Sequence, residues 1–395
     1  MTARPKIILR HTSHNSFLFG HPWIYRSQIK ETSPGLKPGG LADVFLTSKQ
    51  WIGMGYFNPQ SEISVRLLTR RQEPIDKNFF KAKFEHAIEF RKKFVKDTNA
   101  WRLVSSEADG LPGLIVDQYG PVLVAQFLTR GMEHLREPVL EALDEVAAPK
   151  GIYEKSDSSS RKIEGLEPKI GWIRQACAGE VVVVEKDLQF PVRFGGGQKT
   201  GFYLDQRENR LFLRELDFKG TALDAFCYTG GFGLHLAKNG WKVLGLDIQK
   251  EAISAAEENR RLNEITGESL SFKTANVFDE LKILEKEKAR FDLVILDPPS
   301  FVKKKQALEA ALTGYKEILL RAMRILNPGG LLAVFSCSYH VDDNLLMKAS
   351  LSAAMDTRKR LRALKFLKQS IDHPIDPFIP ETYYLKGFLF GVWPL

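Results

Sequence analysis

Between residues 1 and 72, apolar residues come in short runs, PKIILR, LADVFLT, WIGMGYFNP and ISVRLLTR, cut by Gly, Pro and Asn about every ten positions. Such alternation predicts short strands forming a small β-barrel or sandwich. In KNFFKAKFEHAIEFRKKFV the apolar residues recur at helical spacing, which predicts an amphipathic connector helix. Residues 101–190 combine a hairpin (LIVDQYGPVLVAQF, with Tyr-Gly-Pro at the turn), a helix at HLREPVLEALDEVA, and more β structure in VVVVEKDLQFPVRF. From about 220 the rhythm changes. TALDAFCY, KVLGLDI, LSFKTA, FDLVILD and LLAVFSCS read as strands alternating with helices, the longest ending at NPGG. That order predicts parallel βαβ units in a doubly wound sheet. The tail YYLKGFLFGVW is expected as a last strand on the antiparallel edge. The fold class is therefore α/β, in three parts: a β-rich 1–72, a central α+β segment 73–190, and a doubly wound 191–395.

Length and composition narrow the class. At about 150 residues per domain, 395 residues correspond to two or three domains. No run approaches the ~18 apolar residues of a membrane span, and MTARPKIILRHTSHNSF lacks the apolar centre of a signal peptide. Cys177, Cys227 and Cys337 are too few for a disulfide framework and fit a reducing compartment. The expectation is a soluble, cytoplasmic protein with no membrane partner. His11 and His14 lack further ligand-type residues nearby, so no metal site is read. The net charge of +9 is uneven: residues 1–72 carry +7, 73–190 carry −3 and 191–395 carry +5. Positive charge at both ends suits an anionic partner touched at two places.

The candidate chemistry sits at strand ends. LDAFCYTGGFG places Asp224 at the end of the first parallel strand, followed by Thr229, Gly230, Gly231 and Gly233. Ligands of open parallel sheets lie beyond the carboxyl ends of the strands, and glycines there let the backbone approach them. Asp247 closes the second strand, where a carboxylate can accept both hydroxyls of a ribose. A dinucleotide fingerprint fails because Leu236 stands at its third glycine position, and no P-loop is present. Asp297-Pro298-Pro299-Ser300 ends the fourth strand. This pattern occurs widely in nucleic-acid methyltransferases, so S-adenosylmethionine is the expected cofactor.

Cys337 follows LLAVFS at the end of the fifth strand, on the same rim as the three aspartates. A thiolate that adds to carbon 6 of a pyrimidine makes carbon 5 nucleophilic enough to attack a methyl sulfonium. A base-amine methyltransferase needs no thiol. Buried cysteines are ordinarily small hydrophobes, which is the reading for Cys177 and Cys227. The target base must leave its stack, so a flipped or single-stranded nucleotide is expected.

KTGFYLDQRENR (199–210), LDAFCYTGGFG, LDPPSFVKKKQ, GYKE (314–317), FSCS (335–338) and DHPI…PETYYLKGF (372–388) resemble the RlmI-type bacterial large-subunit ribosomal RNA cytosine-5 methyltransferases. The resemblance runs over nearly the whole chain. It implies a PUA-like RNA-binding start, a central domain and a Rossmann-like class I methyltransferase domain that methylates carbon 5 of a cytosine in 23S ribosomal RNA. By that match Cys337 forms the adduct and Asp297 steadies the pyrimidine edge. Tyr203, Asp224, Tyr228, Thr229, Gly230, Gly231, Asp247, Asn276 and Asp297 would bind the cofactor. Lys199, Tyr203, Asp205 and Arg207 would close over cofactor and target, with Lys199 and Arg207 reaching RNA. Lys303, Lys304 and Lys305 beside the pocket, and Trp23 and Arg26 in HPWIYRS, suit phosphate contact and base stacking.

Two departures stand out. Asn276 replaces the Asp that many such enzymes use for the adenine amine, with Asp279 as the alternative acceptor. Ser300 replaces the second cysteine of many RNA cytosine-5 methyltransferases, which leaves the base for the carbon-5 proton as Asp297 or an ordered water. Three readings stay open: the cytosine-5 enzyme, a base-amine or guanine methyltransferase with a structural Cys337, and a non-catalytic RNA-binding assembly factor. Whether the chain forms a homodimer is also open.

Overall fold

The computed structural model describes residues 4–10, 16–177, 180–194, 202–301 and 308–395. The chain divides into two compact units. One comprises Met1–Val184, Pro191–Gly201 and Ile371–Thr382; the other comprises Glu185–Phe190, Phe202–Ser370 and Tyr383–Leu395.

The first unit opens with β1 (Lys6–Leu9), β2 (Trp23–Tyr25), β3 (Ile29–Thr32), β4 (Leu41–Leu46), β5 (Trp51–Phe57) and β6 (Ile63–Thr69), in sheet order β2-β6-β5-β4-β1-β3. β1 runs parallel to β4 and the other pairings are antiparallel. Ile7, Leu9, Phe17, Ile24, Val44 and Val65 fill its core. Helix α1 (Lys77–Phe94) starts where Asp76 accepts the amide hydrogens of Asn78 and Phe79. It buries Phe79, Phe80, Phe84, Ala87 and Arg91. The second sheet has the order β11-β10-β9-β8-β7, built from β7 (Ala100–Ser105), β8 (Leu114–Tyr119), β9 (Val122–Phe127), β10 (Gly151–Ser156) and β11 (Lys169–Trp172). Helices α2 (Arg130–His134), α3 (Arg136–Ala147) and α4 (Ser160–Ile163) accompany it. The predicted β8–β9 hairpin turns at Gly120, whose φ is +53°.

Tyr56 and Leu68 of the N-terminal sheet lie in one apolar cluster with Phe80, Val116 and Leu140 of the following segment. Arg66 of β6 also donates to the buried Glu164 carboxylate at 2.8 Å. The first 72 residues therefore share their interior with the central segment. The stretch DHPI joins this unit too: the Asp372 carbonyl accepts from Arg91 at 3.0 Å and its carboxylate from the Arg102 amide at 2.9 Å.

A two-stranded ribbon, β12 (Glu180–Glu185) and β13 (Leu188–Arg193), and helix α5 (Arg207–Arg214) precede the third sheet. That sheet has the order β16-β15-β14-β17-β18-β20-β19, from β14 (Thr221–Ala225), β15 (Lys242–Asp247), β16 (Leu270–Thr274), β17 (Phe291–Leu296), β18 (Leu326–Ser336), β19 (Lys359–Lys368) and β20 (Lys386–Pro394). β14 to β18 are mutually parallel, linked through α6 (Gly231–Lys238), α7 (Lys250–Leu262), α8 (Val277–Lys286) and α9 (Leu308–Ile325). The near-continuous apolar runs of β14, β15, β17 and β18 fit strands covered on both faces. Strand order reverses between β14 and β17, so the binding crevice lies at their carboxyl ends.

The expected position of the last strand needs correcting. β20 is antiparallel but interior, paired to β18 on one side and β19 on the other. Residues 386–392 are all buried, as an interior strand requires. The edge is β19, reached through α10 (Asp343–Thr357). KRLRALKFLK is half charged and mostly exposed, so its pattern did not read as a strand.

Candidate active site

The turn after β14 is built for close approach. Phe226 (φ +68°) and Tyr228 (φ +49°) both adopt left-handed backbone, followed by Gly230 at +81°. Non-glycine residues held there cost about 1–3 kcal/mol each, and such strain collects at functional turns. Hydrogen bonds fix the shape. Cys227 N–H donates to the Leu246 carbonyl (2.8 Å), Gly230 N–H to the Cys227 carbonyl (2.8 Å), and Asn259 to the Thr229 carbonyl (2.9 Å). A Cβ on Gly230 would come 2.7 Å from the Phe272 ring. Gly230→Ala should therefore lower stability by about 1–2 kcal/mol from the backbone alone, read as a shift in urea midpoint, and should weaken cofactor binding with it.

Asp224 is buried, and its Oδ2 accepts the Gly233 amide hydrogen at 2.9 Å. Among the described residues its Oδ1 has no partner. Burial, with Asp247 nearby, pushes this carboxyl up to about 7. Asp247 accepts Tyr228 N–H at Oδ2 (3.0 Å) and Gln249 N–H at Oδ1 (2.9 Å). Each oxygen keeps a second lone pair for a ribose hydroxyl. Asn276 is exposed and caps α8, its side chain accepting Phe278 N–H at 2.9 Å. A strained glycine turn, an orphaned carboxylate oxygen and a strand-end Asp together fit an adenosine cofactor with a cationic tail.

The target side lies on the neighbouring strand ends. Asp297 follows β17 and accepts from Gln206 Nε2 at 3.1 Å. Burial, Asp205 and Asp224 push it up to about 7. Ser300 and Ser338 hydroxyls meet at 2.9 Å, tying the Asp-Pro-Pro-Ser turn to the loop that carries Cys337. Cys337 is exposed between buried Ser336 and Ser338. Solvent reaches the residue, yet the protein around the sulfur, with Asp297 and Asp205, pushes the thiol up to about 11. Lys386 opposes that shift and is itself held below the usual lysine range by burial. Tyr203 packs edge-on against Tyr228 at 5.2 Å, and burial raises its hydroxyl well above the usual tyrosine range. Asp205 accepts the Tyr384 hydroxyl at 2.8 Å. Cys227 is buried beside Gly245 and its thiol is pushed up by burial, as befits a packing residue.

Three contributors were not singled out from sequence: Gln206, Tyr384 and Lys386. They belong to the GFYLDQRENR and ETYYLKG stretches, which were quoted only for their resemblance. The same holds for Arg210. Its guanidinium makes two bonds to the buried Glu185 carboxylate (2.7 and 2.6 Å) and a third to the Tyr203 carbonyl (2.8 Å). The buried His235 ring nitrogen approaches Glu185 at 2.9 Å. Arg210→Met should cost about 3–5 kcal/mol in denaturant melts, because it strands a buried carboxylate.

The expected RNA-contact residues are placed as follows. Arg207 is 2% exposed and pairs with Glu208 at 3.1 Å, so it belongs to the interior rather than to an open surface. In the first unit Trp23 is half-buried, its indole N–H donating to Glu107 at 2.9 Å. Arg26 is half-exposed, donating to the Gln60 carbonyl at 3.0 Å. Lys199, Lys303, Lys304 and Lys305, like His11 and His14, lie outside the described residues. Among the described residues no helix is long and apolar enough to cross a membrane.

A mixed sheet with this strand order and a parallel core, a strained glycine turn and a strand-end carboxylate define a Rossmann-like fold suited to an adenosine cofactor. The S-adenosylmethionine-dependent methyltransferase family model matches residues 166–390, and a PUA-like domain model matches residues 7–70. "Ribosomal RNA large subunit methyltransferase I" of Shewanella frigidimarina is 37% identical over 380 residues, covering 94% of this chain and 96% of that protein. The Vibrio cholerae protein of that name is 37% identical over 390 residues, covering 97% and 98%. A methyltransferase solved in complex with SAH has the same fold, with a TM-score of 0.84, 20% identity, and coverage of 98% of this chain and 99% of that one. The chain belongs to the S-adenosylmethionine-dependent methyltransferases, within the ribosomal RNA large subunit methyltransferase I family.

Proposed function

We propose that this enzyme methylates carbon 5 of a cytosine in 23S ribosomal RNA, in the cytoplasm, through a covalent adduct on Cys337. One observation carries the reading: the thiol of a solvent-exposed cysteine and a buried carboxyl pushed up to about 7 stand on adjacent strand ends, beside the cofactor turn. An amine methyltransferase would have no use for that thiol, and the naming of the relatives favours ribosomal RNA over other substrates.

When bound, S-adenosylmethionine supplies the methyl electrophile and a sulfonium charge that favours the thiolate. Asp224 and Asp247 hold the cofactor, with Tyr203, Tyr228, Thr229, Gly230, Gly231 and Asn276 around it. Cys337, as thiolate, bonds to carbon 6 of the flipped cytosine. Asp297, neutral below about 7, donates its proton to ring nitrogen N3 as negative charge builds there. Carbon 5 takes the methyl as the methyl carbon's bond to the donor sulfur breaks, the electron pair staying on sulfur and S-adenosylhomocysteine leaving. Asp205, positioned by the Tyr384 hydroxyl and perturbing both Asp297 and Cys337, then takes the carbon-5 proton; the carbon–sulfur bond breaks with Cys337 leaving as thiolate, and N3 returns its proton to Asp297.

Residues 1–72 serve as a PUA-like RNA-binding part, 73–190 as the central part and 191–395 as the transferase part; the domain-model match at 7–70 supports the first. Because Tyr56, Leu68 and Arg66, like the Trp23 indole, are committed to the central segment, Arg26→Gln at a half-exposed side chain is a cleaner probe of RNA binding than truncation.

The chemistry is tested with 23S transcripts containing 5-fluorocytidine. Fluorine at carbon 5 cannot leave as a proton, so a cytosine-5 enzyme is trapped as a protein–RNA adduct. An enzyme that turns over without trapping would be an amine or guanine methyltransferase.

A further inference from the structure

β19 is the exposed edge of the transferase sheet, and six of the eleven residues from 358 to 368 are basic with none acidic. Register divides their side chains. Arg360, Arg362 and Lys365 lie opposite Trp393, Gly391 and Leu389 of β20, alternate positions on one face. The register shift between Ala363 and Lys365 sets this phase; if Leu364 were paired in regular register, Lys365 would fall on the other face. The result is a row of three cations at intervals of about 6.6–6.8 Å, twice the rise per strand residue.

Aromatic rings back the row. The Arg362 guanidinium lies 5.1 Å from the Trp393 ring centre, and the Lys365 ammonium 3.5 Å from that of Phe212 on α5. Trp393 in turn covers Gly391, where a Cβ would meet the indole at 2.3 Å. Among the described residues, Arg360, Arg362 and Lys365 make no ion pair with Asp or Glu. The strand ends at the active-site rim: the Lys368 carbonyl accepts from Asn209 (2.9 Å), which donates also to Gln206 (2.6 Å), and Gln206 holds Asp297.

We propose that this face of β19 is an RNA-backbone track that guides the strand carrying the target cytosine into the site. The inference rests on the proposed RNA substrate and adds where that RNA lies. Charge complementarity picks the occupant: unpaired cations laid along an edge and backed by rings match phosphates, with stacking beside them. Lysines on edge strands also deter sheet-to-sheet pairing, which is the competing explanation.

The test uses the full-length Arg360→Gln/Arg362→Gln/Lys365→Gln variant and 23S RNA transcribed in vitro. Binding is measured from 50 to 300 mM salt, with a charge-matched control, Lys282→Gln/Lys286→Gln/Lys316→Gln. The track predicts about tenfold or greater loss of RNA affinity at 150 mM salt. It also predicts a log–log salt slope shallower by about 2–3, at roughly 0.7–0.9 per phosphate contact. Melting temperature and S-adenosylmethionine affinity should match wild type. Unchanged RNA affinity and slope overturn it, as does an equal loss in the control. So does self-association of the variant without loss of RNA affinity, which would assign the charges to edge protection. If wild-type protein neither binds nor methylates the transcript, the RNA reading fails, and this inference with it.

Discussion

Replacing Cys337 by Ala should abolish methyl transfer, by about 10⁴-fold or more, the scale of loss when a covalent nucleophile is removed. The residue is exposed at the end of β18, and its neighbours Ser336 and Ser338 are buried, so the loop keeps its shape without the thiol. Folding and cofactor affinity should match wild type. A single-turnover assay with methyl-labelled S-adenosylmethionine and 23S transcript reads the rate, and calorimetry reads the cofactor. Cys227→Ala removes a packed sulfur beside Gly245 and should cost stability while leaving the covalent adduct intact. Full activity in the Cys337 variant would make the thiol structural and move the enzyme to the amine or guanine class.

Asp297→Ala should lower kcat/KM by about 10²–10⁴-fold, the usual worth of a positioned acid or base. The pH dependence is more telling than the size. The required forms are protonated Asp297, present below about 7 and lost above it, and Cys337 thiolate, scarce until about 11. Their product rises tenfold per pH unit up to about 7 and is then level, because one form is lost as fast as the other is gained. Wild-type enzyme should therefore show a break near pH 7. The variant should lose that break and climb steadily through pH 9. A break near 7 that survives the substitution would assign it to another group, with Asp224, also raised to about 7, as the next candidate.

Much of the transferase fold was legible because parallel strands covered on both faces write themselves as unbroken apolar runs. TALDA, FDLVIL and KVLGLD could hardly be anything else. The strand-end aspartates followed, since position in such a sheet implies position in the crevice. β19 was hidden because an exposed, charged edge lacks the apolar signature of a strand, and overlooking it put β20 at the edge. The partners of Asp297 and Asp205 were hidden for another reason. Gln206 reaches Asp297 across 91 positions, and Tyr384 reaches Asp205 across 179. No local pattern encodes such pairs. Arg207 shows the converse: a cation in a suggestive motif turned out to be buried. The charge partition kept its value in altered form. The +7 of residues 1–72 sits on a sheet that shares its core with the acidic segment after it, and part of the +5 beyond residue 190 is concentrated on one strand.

The most direct measurement is mass-spectrometric mapping of 5-methylcytosine in 23S ribosomal RNA from three strains: one with the gene, one without it, and one carrying Cys337→Ala in its place. The account predicts a 5-methylcytosine at one position in the first strain, absent from the other two. Identical methylation in all three, or a difference confined to a methylated amine or guanine, would contradict it.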